Sequence, residues 1–183
     1  MLSPQPGRRL LTSESALIVP VPEAERVVKE LRARYDPAAP AGVPAHVTVL
    51  YPFIAPEALS GSILAELEMI FTGVAPFPFN LSGIARFRKV VYLAPDPADG
   101  FSRLTAAIAT RWPEAPPYGG IHNEVVPHLT IANTSDARAA EEIQRIIEPA
   151  LPVACTARQA WLMVGREGGW SLQRRFRFGG TPP

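Results

Sequence analysis

In the first half of this chain, segments in which apolar residues have the spacing of a strand alternate with segments in which they have the spacing of a helix. Short runs of branched and aromatic residues predict strands over residues 15–20, 45–50, 77–87 and 89–94. Apolar residues at helical spacing predict one helix over 23–35 and another that begins near Pro56 and ends near Gly73. The stretch 36–44 is rich in proline and alanine and predicts a loop that leads into the second strand.

The second half continues the same alternation. Asp96 and Pro97 predict the start of a helix that ends before Pro113, and the aperiodic stretch 113–126 predicts a long surface loop. The remaining segments are a strand after this loop, a helix capped by Thr134 or Ser135, and strands over 152–164 and 170–178. The resulting order, βαβαββ followed by αβαββ, predicts an internal duplication.

One strand in each half, at the same place in the order, carries the same tetrapeptide pattern. Residues 46–49 (HVTV) and 128–131 (HLTI) each come just after a proline and contain two of the three histidines. Side chains alternate between the two faces of a strand, so the histidine and threonine of each motif share one face. Each motif therefore offers an imidazole and a hydroxyl on one side and a branched apolar pair for burial on the other.

Composition narrows the class of protein. The chain has 183 residues, of which 47% are hydrophobic and 19% charged, which predicts a packed core in one domain. A net charge of +1 gives no electrostatic footprint for duplex DNA. The single cysteine, Cys155, excludes an internal disulfide and a thiolate metal cluster. Because the chain contains no signal peptide pattern and no apolar run of transmembrane length, we expect a cytoplasmic protein without a membrane partner.

The motifs carry a resemblance to a known family. The two His-x-Thr-x motifs lie 82 residues apart, within the strings PAHVTVLYPF and VPHLTIAN. Together with the strand and helix order, they resemble the 2H phosphoesterase superfamily, in particular its 2′-5′ RNA ligase-like and 2′,3′-cyclic phosphodiesterase branches. The resemblance implies an α+β fold with two lobes, in which two antiparallel-rich sheets face each other across a central groove and helices pack on the outer faces. We expect one such domain over 14–179, with short flexible termini at 1–13 and 180–183.

The residue types of the motifs suit phosphodiester chemistry. Opening a 2′,3′-cyclic phosphate needs one group to deprotonate the attacking water and another to protonate the departing ribose oxygen. Imidazole titrates near neutrality, so His46 and His128 are the candidates for general acid and base, with their roles unassigned. Thr48 and Thr130 can donate to the phosphate oxygens. This scheme requires no metal or cofactor, and the same groups acting in reverse would join RNA ends.

A structural role is the alternative for each of these residues. A single strand histidine is more often hydrogen-bonded to the backbone than catalytic, but a matched pair on two strands favours the functional interpretation. The third histidine, His122, lies in the predicted loop and could act as a lid residue, although a solvated histidine is the simpler interpretation. A zinc site formed by His46, His122 and His128 is conceivable, but no ligand spacing supports it.

Several aromatic and basic residues are further candidates for contacts with a nucleotide. Aromatic residues that could stack on a base are Tyr51, Phe53, Tyr118 and Trp161. Basic residues that could meet phosphates form two groups, one of Arg86, Arg88 and Lys89 and one of Arg174, Arg175 and Arg177. Most such residues belong to the core or to solvated surfaces. Strict alternation predicts that Arg174 shares a strand face with Trp170, Leu172 and Phe176.

Three functions remain open on the sequence. The first is an enzyme that acts on 2′,3′-cyclic or 2′-5′ phosphodiester bonds of RNA ends or nucleotides. The second is a phosphodiesterase for a non-RNA nucleotide derivative, such as a cyclic ADP-ribose phosphate derivative, a class that members of the superfamily process. The third is a module that binds RNA ends without chemistry. The expected partners are RNA ends or a small nucleotide cyclic phosphate, and the expected state is a monomer.

Overall fold

The computed structural model describes residues 13–120 and 125–180, which form eight strands and four helices. The strands are β1 (Glu14–Pro20), β2 (His46–Leu50), β3 (Phe77–Phe87), β4 (Val90–Asp96), β5 (Leu129–Asn133), β6 (Val153–Ala157), β7 (Gln159–Arg166) and β8 (Gly169–Arg177). The helices are α1 (Pro22–Tyr35), α2 (Gly61–Thr72), α3 (Asp99–Arg111) and α4 (Ala137–Ile147).

The strands form two antiparallel sheets of four strands each. The first sheet has the order β2-β1-β7-β8, and the second has the order β5-β4-β3-β6. The strands that carry the two motifs, β2 and β5, are therefore edge strands at corresponding positions, and these two edges contact each other. The predicted α+β class with two antiparallel sheets is confirmed, and the motifs lie where the sheets meet.

The helices connect the two halves instead of covering one half each. Helix α1 leads from β1 to β2 of the first sheet but packs against β5 and β6 of the second sheet. Helix α3 leads into the segment before β5 and packs against β2. Thr105 of α3 is buried and donates to the Val49 carbonyl at 2.8 Å, which satisfies a backbone group on this edge strand. The exchange of helices between the sheets makes the two lobes share one core.

The main core is contiguous across both sheets. It includes Leu17 and Val19 of β1, Leu81 of β3 and Leu93 of β4, all of them fully or almost fully buried. A smaller cluster of buried residues lies on the opposite face of the first sheet and consists of Ala16, Ile18, Val43 and Met163. Because this second face carries the histidine and threonine of β2, we call it the motif face; the corresponding face of the second sheet has the same name.

Four sequence predictions of element bounds need correction. The helix predicted from Asp96 and Pro97 begins at Asp99, because Asp96 still pairs with Asn80 of β3 at the end of β4. The predicted strand over 152–164 is two strands, because the chain leaves the second sheet after β6 and enters the first sheet at β7, and a strand period does not record a change of sheet. The helix predicted from Pro56 starts at α2, where the Ser60 hydroxyl accepts from the Ile63 N–H at 3.3 Å. The cap of α4 is Asp136, whose carboxylate accepts from the Arg138 N–H at 2.9 Å, in place of Thr134 or Ser135.

The predicted flexible termini lie almost wholly outside the described residues. Gly180 is described, and its N–H donates to the Val74 carbonyl at 3.0 Å. Within 13–120 and 125–180, none of the helices combines the length and the hydropathy needed to cross a membrane.

Candidate active site

The first motif shows the predicted alternation of faces. Val47 and Val49 are 0% and 1% exposed and belong to the main core, whereas His46 and Thr48 are half-buried on the motif face. The N-terminal end of β2 is held by Glu25 of α1, whose carboxylate accepts from the Ala45 N–H at 2.7 Å. Burial of the two valines and this bond to α1 fix the direction of the histidine and threonine side chains.

The second motif repeats this arrangement. Leu129 and Ile131 are both 0% exposed in the main core, and Thr130 lies on the motif face, opposite Tyr92 of β4 in the sheet register. His128 directly precedes β5, so it lies at the entrance of the strand instead of within it. In both motifs the structure therefore shows the predicted alternation, with the branched apolar pair in the core and the threonine on the motif face.

The two imidazoles make the same hydrogen bond. The Nδ1 atom of His46 lies 2.7 Å from the Pro44 carbonyl oxygen, and that of His128 lies 2.7 Å from the Val126 carbonyl oxygen. Because a carbonyl oxygen only accepts, Nδ1 carries the proton in both rings. The neutral tautomer therefore leaves the lone pair on Nε2. Each ring thus holds Nδ1 against the backbone two residues earlier and keeps Nε2 for a proton transfer.

Burial makes both imidazoles harder to protonate. It lowers the pKa of His46 to about 4, although the bond to the Pro44 carbonyl acts in the opposite direction. The nearby Arg32 guanidinium and His128 lower the pKa of His46 further, and the Asp36 carboxylate raises it. Burial also lowers the pKa of His128, against the effect of its bond to Val126. The mutual influence of the two histidines means that a charge on one disfavours a charge on the other.

Tyr118 belongs to this site through a contact with the first motif. Its side chain hydrogen-bonds the Thr48 side chain, and its N–H donates to the Tyr51 carbonyl at 2.6 Å. The backbone of Tyr118 has a φ of 52°, a left-handed conformation that residues other than glycine rarely adopt. The segment that leads toward the second motif therefore reaches across to the first. Sequence reasoning proposed Tyr118 only as a stacking platform and missed this bond, which no local pattern signals.

Two aromatic rings surround His128. Phe87 of β3 approaches the imidazole edge-on with ring centroids 4.9 Å apart, and Tyr92 of β4 does so at 5.4 Å. Phe87 is nevertheless 37% exposed, so it forms part of an open surface beside the imidazole. Neither residue was a sequence candidate, because each occurs in a strand pattern that predicts only a packed sheet. Their rings restrict the orientation of the histidine and contribute to its burial.

A cavity of about 370 Å³ opens beside the first motif. His46, Thr48 and Tyr51 form one wall, and Met163 and Trp170 form another. The loop after α1 also lines the cavity, through Pro37, Ala38, Ala41 and Val43.

This loop is attached to the start of β8. The Trp170 N–H donates to the Ala41 carbonyl at 2.6 Å, and Gly42 adopts a φ of 99° in contact with the Trp170 backbone. A Cβ at Gly42 would lie 2.6 Å from the Trp170 carbonyl oxygen, so only glycine fits this contact. The close approach fixes the shape of the cavity beside His46.

A buried ion pair supports the same loop. Arg32 of α1 is 2% exposed and donates to the Asp36 carboxylate at 2.9 and 3.1 Å and to the Val43 carbonyl at 3.1 Å. The other carboxylate oxygen of Asp36 accepts from the Ala38 N–H at 3.1 Å and from the Asn133 amide at 3.4 Å. The network therefore joins α1 and the loop to the end of β5. Sequence reasoning did not identify it.

The remaining aromatic candidates have different environments. Phe53 is 7% exposed and packs edge-on against Trp112 with centroids 5.3 Å apart, so it is a core residue and cannot stack on a base. Tyr51 lines the cavity and donates to Glu14 at 2.8 Å. Trp161 lies on the motif face of the first sheet. His122, the lid or zinc candidate, lies outside the described residues.

The basic candidates also separate. Arg86, Arg88 and Lys89 are exposed around the turn between β3 and β4. The prediction for Arg174 is wrong: it shares a face with Phe176 but not with Trp170 and Leu172, because the register of β7 and β8 shifts between them. Among the residues that the structure describes, no group of three or more histidine, cysteine, aspartate and glutamate side chains is placed to hold a metal ion.

Comparisons with known proteins agree with this architecture. Residues 19–169 match the 2′-5′ RNA ligase superfamily. A Bacillus cytotoxicus protein that is named as a phosphoesterase is 32% identical over an alignment of 124 residues, which covers 63% of this chain and 67% of that protein.

Two solved structures have a similar fold. Escherichia coli LigT, solved in complex with 3′-AMP, is 16% identical and superposes with a TM-score of 0.61 over 91% of this chain and 98% of its own. The Thermus thermophilus protein TT0787 is 19% identical, with a TM-score of 0.67 over 92% of this chain and 100% of its own. LigT has also been solved with ATP. At these identities the structures show the fold, and the sequence match shows the family. The chain therefore belongs to the 2′-5′ RNA ligase superfamily of phosphoesterases.

Proposed function

We propose that this protein acts on 2′,3′-cyclic or 2′-5′ phosphodiester bonds of RNA ends or nucleotides, with His46 and His128 as the acid and base and no metal. The observation that carries the proposal is the matched pair of imidazoles at the junction of the two sheets. Each keeps Nδ1 on a backbone carbonyl and leaves Nε2 for chemistry. The LigT complexes with 3′-AMP and ATP support a nucleotide as the ligand class.

The two histidines have different tasks in hydrolysis of a cyclic phosphate. The Nε2 lone pair of the base takes a proton from water, whose oxygen then bonds to phosphorus. The bond from phosphorus to one ribose oxygen breaks, and that oxygen receives the proton from Nε2 of the acid, which leaves a 2′- or 3′-phosphomonoester. Burial, with a smaller contribution from the Arg32 guanidinium and against the effect of Asp36, lowers the pKa of His46 to about 4 and favours its neutral form. We therefore assign the base to His46 and the acid to His128.

Binding of the substrate prepares the protonation state that this scheme needs. An anionic phosphate between the imidazoles raises the pKa of both. The repulsion between two charged imidazoles still opposes double protonation. The bound pair is therefore expected to hold one proton, which gives one acid and one base at the same pH.

The threonines complete the phosphate site. Thr48 and Thr130 are on the motif faces beside the two histidines, where their hydroxyls can donate to the non-bridging oxygens as negative charge develops. The hydrogen bond between the Tyr118 and Thr48 side chains orients Thr48 beside the phosphate position. The same groups in reverse would join a cyclic phosphate to a ribose hydroxyl, so ligation uses the same site.

The experiment measures hydrolysis of a nucleoside 2′,3′-cyclic phosphate in the presence of a chelator. His46→Asn and His128→Asn are the sharpest variants, because the asparagine amide can keep the bond to the backbone carbonyl while Nε2 is lost. General acid or base catalysis contributes about 10²- to 10⁴-fold, so each variant should lose at least about 100-fold in kcat. Unfolding midpoints within a few degrees of the parent protein serve as the fold control. Near-normal activity of either variant would refute the two-imidazole mechanism.

A further inference from the structure

One row of side chains crosses the motif face of the first sheet. In the strand register, Thr48 of β2 lies opposite Ile18 of β1, Ile18 lies opposite Trp161 of β7, and Trp161 lies opposite Arg175 of β8. Side chains that are directly opposite in a sheet share a face. The row therefore leads from the proposed phosphate ligand Thr48 across an apolar residue and an indole ring to a guanidinium.

A bulge in β8 determines which arginine joins this row. Leu162 pairs with Arg174 and Met163 pairs with Leu172, so Gln173 is an extra residue between the two pairs. The extra residue reverses the alternation beyond it. Arg174 consequently lies on the opposite face, which carries the main core and α2 and is called the outer face here, where it pairs with Glu68 of α2 at 3.0 Å.

Arg175 consequently lies on the motif face. Its guanidinium is 5.2 Å from the centre of the Trp161 ring, which holds it above the row. The two adjacent arginines therefore occupy opposite faces of the same strand.

Arg175 and Trp161 both have an unused capacity to donate hydrogen bonds. Within 13–120 and 125–180, the ion pairs involve Arg32, Arg111 and Arg174, and none involves Arg175. The Nε1 atom of Trp161 is buried and has no acceptor in the same part of the chain. A phosphate at this position would pair with the exposed Arg175 guanidinium and would bring acceptors close to the buried Trp161 N–H. Arg177, two residues beyond Arg175 and opposite Gln159, adds a second positive charge along the same edge.

We propose that Arg175, resting on Trp161, binds a second phosphate of the substrate, upstream of the phosphate that reacts. The proposal rests on the function proposed above and narrows its substrate to an RNA strand that ends in a cyclic phosphate. Three strand spacings separate Thr48 from Arg175, which places the two phosphate contacts about 14 Å apart. A nucleoside with a single phosphate cannot occupy both positions, whereas an oligonucleotide can. Trp161, which is half-buried, lies between them, where an intervening base can pack, and the buried Ile18 supports it from the neighbouring strand.

The experiment compares two substrates and two variants. The substrates are a nucleoside 2′,3′-cyclic phosphate and a trinucleotide with the same terminal cyclic phosphate. The variants are Arg175→Gln and the matched control Arg174→Gln, which removes the neighbouring charge from the outer face. The parent protein should favour the trinucleotide. Arg175→Gln should lower kcat/KM for the trinucleotide about tenfold and leave the mononucleotide within about twofold, in keeping with one lost hydrogen bond to a charged group. Arg174→Gln should change neither.

Salt dependence gives a second measure of the same contact. Each phosphate neutralised on a single strand contributes a slope of about −0.7 to the plot of log affinity against log salt concentration. The slope of log KM for the trinucleotide should therefore decrease by about 0.7 in Arg175→Gln relative to Arg174→Gln. For the mononucleotide the slopes of the two variants should be equal.

The outcomes separate the two proposals. If the parent protein hydrolyses both substrates with no preference for the trinucleotide, or if the two variants lose activity equally, the second phosphate site is refuted and the proposed chemistry stands. If neither substrate is hydrolysed, the proposed chemistry fails. Binding of a labelled trinucleotide with a terminal 3′-phosphate, measured by fluorescence anisotropy, then tests the second phosphate site independently of the chemistry. The second site requires that Arg175→Gln binds this trinucleotide more weakly than Arg174→Gln does, and equal binding would refute it.

Discussion

Removing one partner of the buried Arg32–Asp36 pair should destabilise this protein more than any surface change. Arg32→Met leaves the Asp36 carboxylate buried with only the Ala38 N–H and the Asn133 amide as donors. It also leaves the Val43 carbonyl without its bond. Removing one member of a buried pair costs about 3–5 kcal/mol, because the remaining charge stays buried without compensation. Asp36→Asn should lose a similar free energy of unfolding, because the Arg32 guanidinium remains buried.

The double variant Arg32→Met/Asp36→Asn tests whether this loss comes from the unpaired charge. With both charges gone, the asparagine amide oxygen can still accept from Ala38, and the orphaned Val43 carbonyl accounts for about 1–3 kcal/mol. The double variant should therefore be more stable than either single variant. The reasoning predicts a coupling free energy of at least about 3 kcal/mol between the two positions, since the sum of the single losses exceeds the double loss by more than that.

Thermal and urea unfolding provide the assay. For a chain of this length each kcal/mol shifts the Tm by about 2–4 °C, so a loss of about 4 kcal/mol corresponds to about 8–16 °C. Urea unfolding followed by tryptophan fluorescence gives the free energies, provided that the slope with urea concentration is the same for all variants. A loss below about 1 kcal/mol in Arg32→Met would refute the reasoning, because that is the range of an exposed ion pair.

The same pair of variants should shift the catalytic pH profile in opposite directions. Burial is the main cause of the low pKa of His46, and Arg32 lowers it further while Asp36 raises it. Arg32→Met should therefore raise the pKa of His46 and move the acid limb of kcat/KM to higher pH. Asp36→Asn should move the same limb to lower pH. Shifts in the same direction would indicate a general disturbance of the site instead of the loss of one charge.

Three further predictions concern the site. The loss of activity in His128→Asn relative to the parent protein should be at least about tenfold smaller for a nitrophenyl phosphodiester than for a cyclic phosphate, because a nitrophenolate leaves without a proton. Equal losses on the two substrates would contradict the assignment of His128 as the acid. Tyr118→Phe should lower kcat/KM about tenfold, because the Thr48 side chain loses the hydrogen bond that orients it, and unchanged kinetics would exclude that role. Since the pKa of His46 is about 4 in the folded state against an ordinary value of 6.5, the unfolded chain binds more protons between these values. The free energy of unfolding should therefore decrease between about pH 7 and about pH 4.5, and the decrease should be larger in the parent protein than in His46→Asn by at most about 3 kcal/mol. Urea unfolding at each pH measures this difference.

The sequence contained enough information to place each motif on its strand and to predict the fold class. Period-two alternation records which side chains are buried, so the burial of Val47 and Val49 followed directly from the pattern. The proline before each motif and the helix after it made the two copies comparable. These patterns describe only neighbouring residues, however. The fold class could be predicted because each half of the chain repeats the same order of strands and helices.

Contacts between the halves have no such local signature. Tyr118 reaches Thr48, and Asn133 reaches Asp36, across separations of 70 and 97 residues that no period connects. The exchange of α1 and α3 between the sheets brings these pairs together, and it depends on how two cores merge. A pattern can thus identify the two imidazoles. It cannot identify the residues that set their pKa values or orient their hydroxyl neighbours.

The β8 strand shows how one missed bulge changes the face of every residue beyond it. Strict alternation placed Arg174 on the face of Trp170 and left Arg175 on the other, and the extra residue Gln173 reverses that assignment. The core depends on this reversal, because it keeps Phe176, which is 0% exposed, on the core face together with Arg174. The chemistry depends on it as well, because only the arginine on the motif face can meet a ligand that also reaches Thr48. A single inserted residue therefore decides which of two adjacent arginines can contribute to substrate choice, and a comparison of Arg174 and Arg175 variants measures that decision directly.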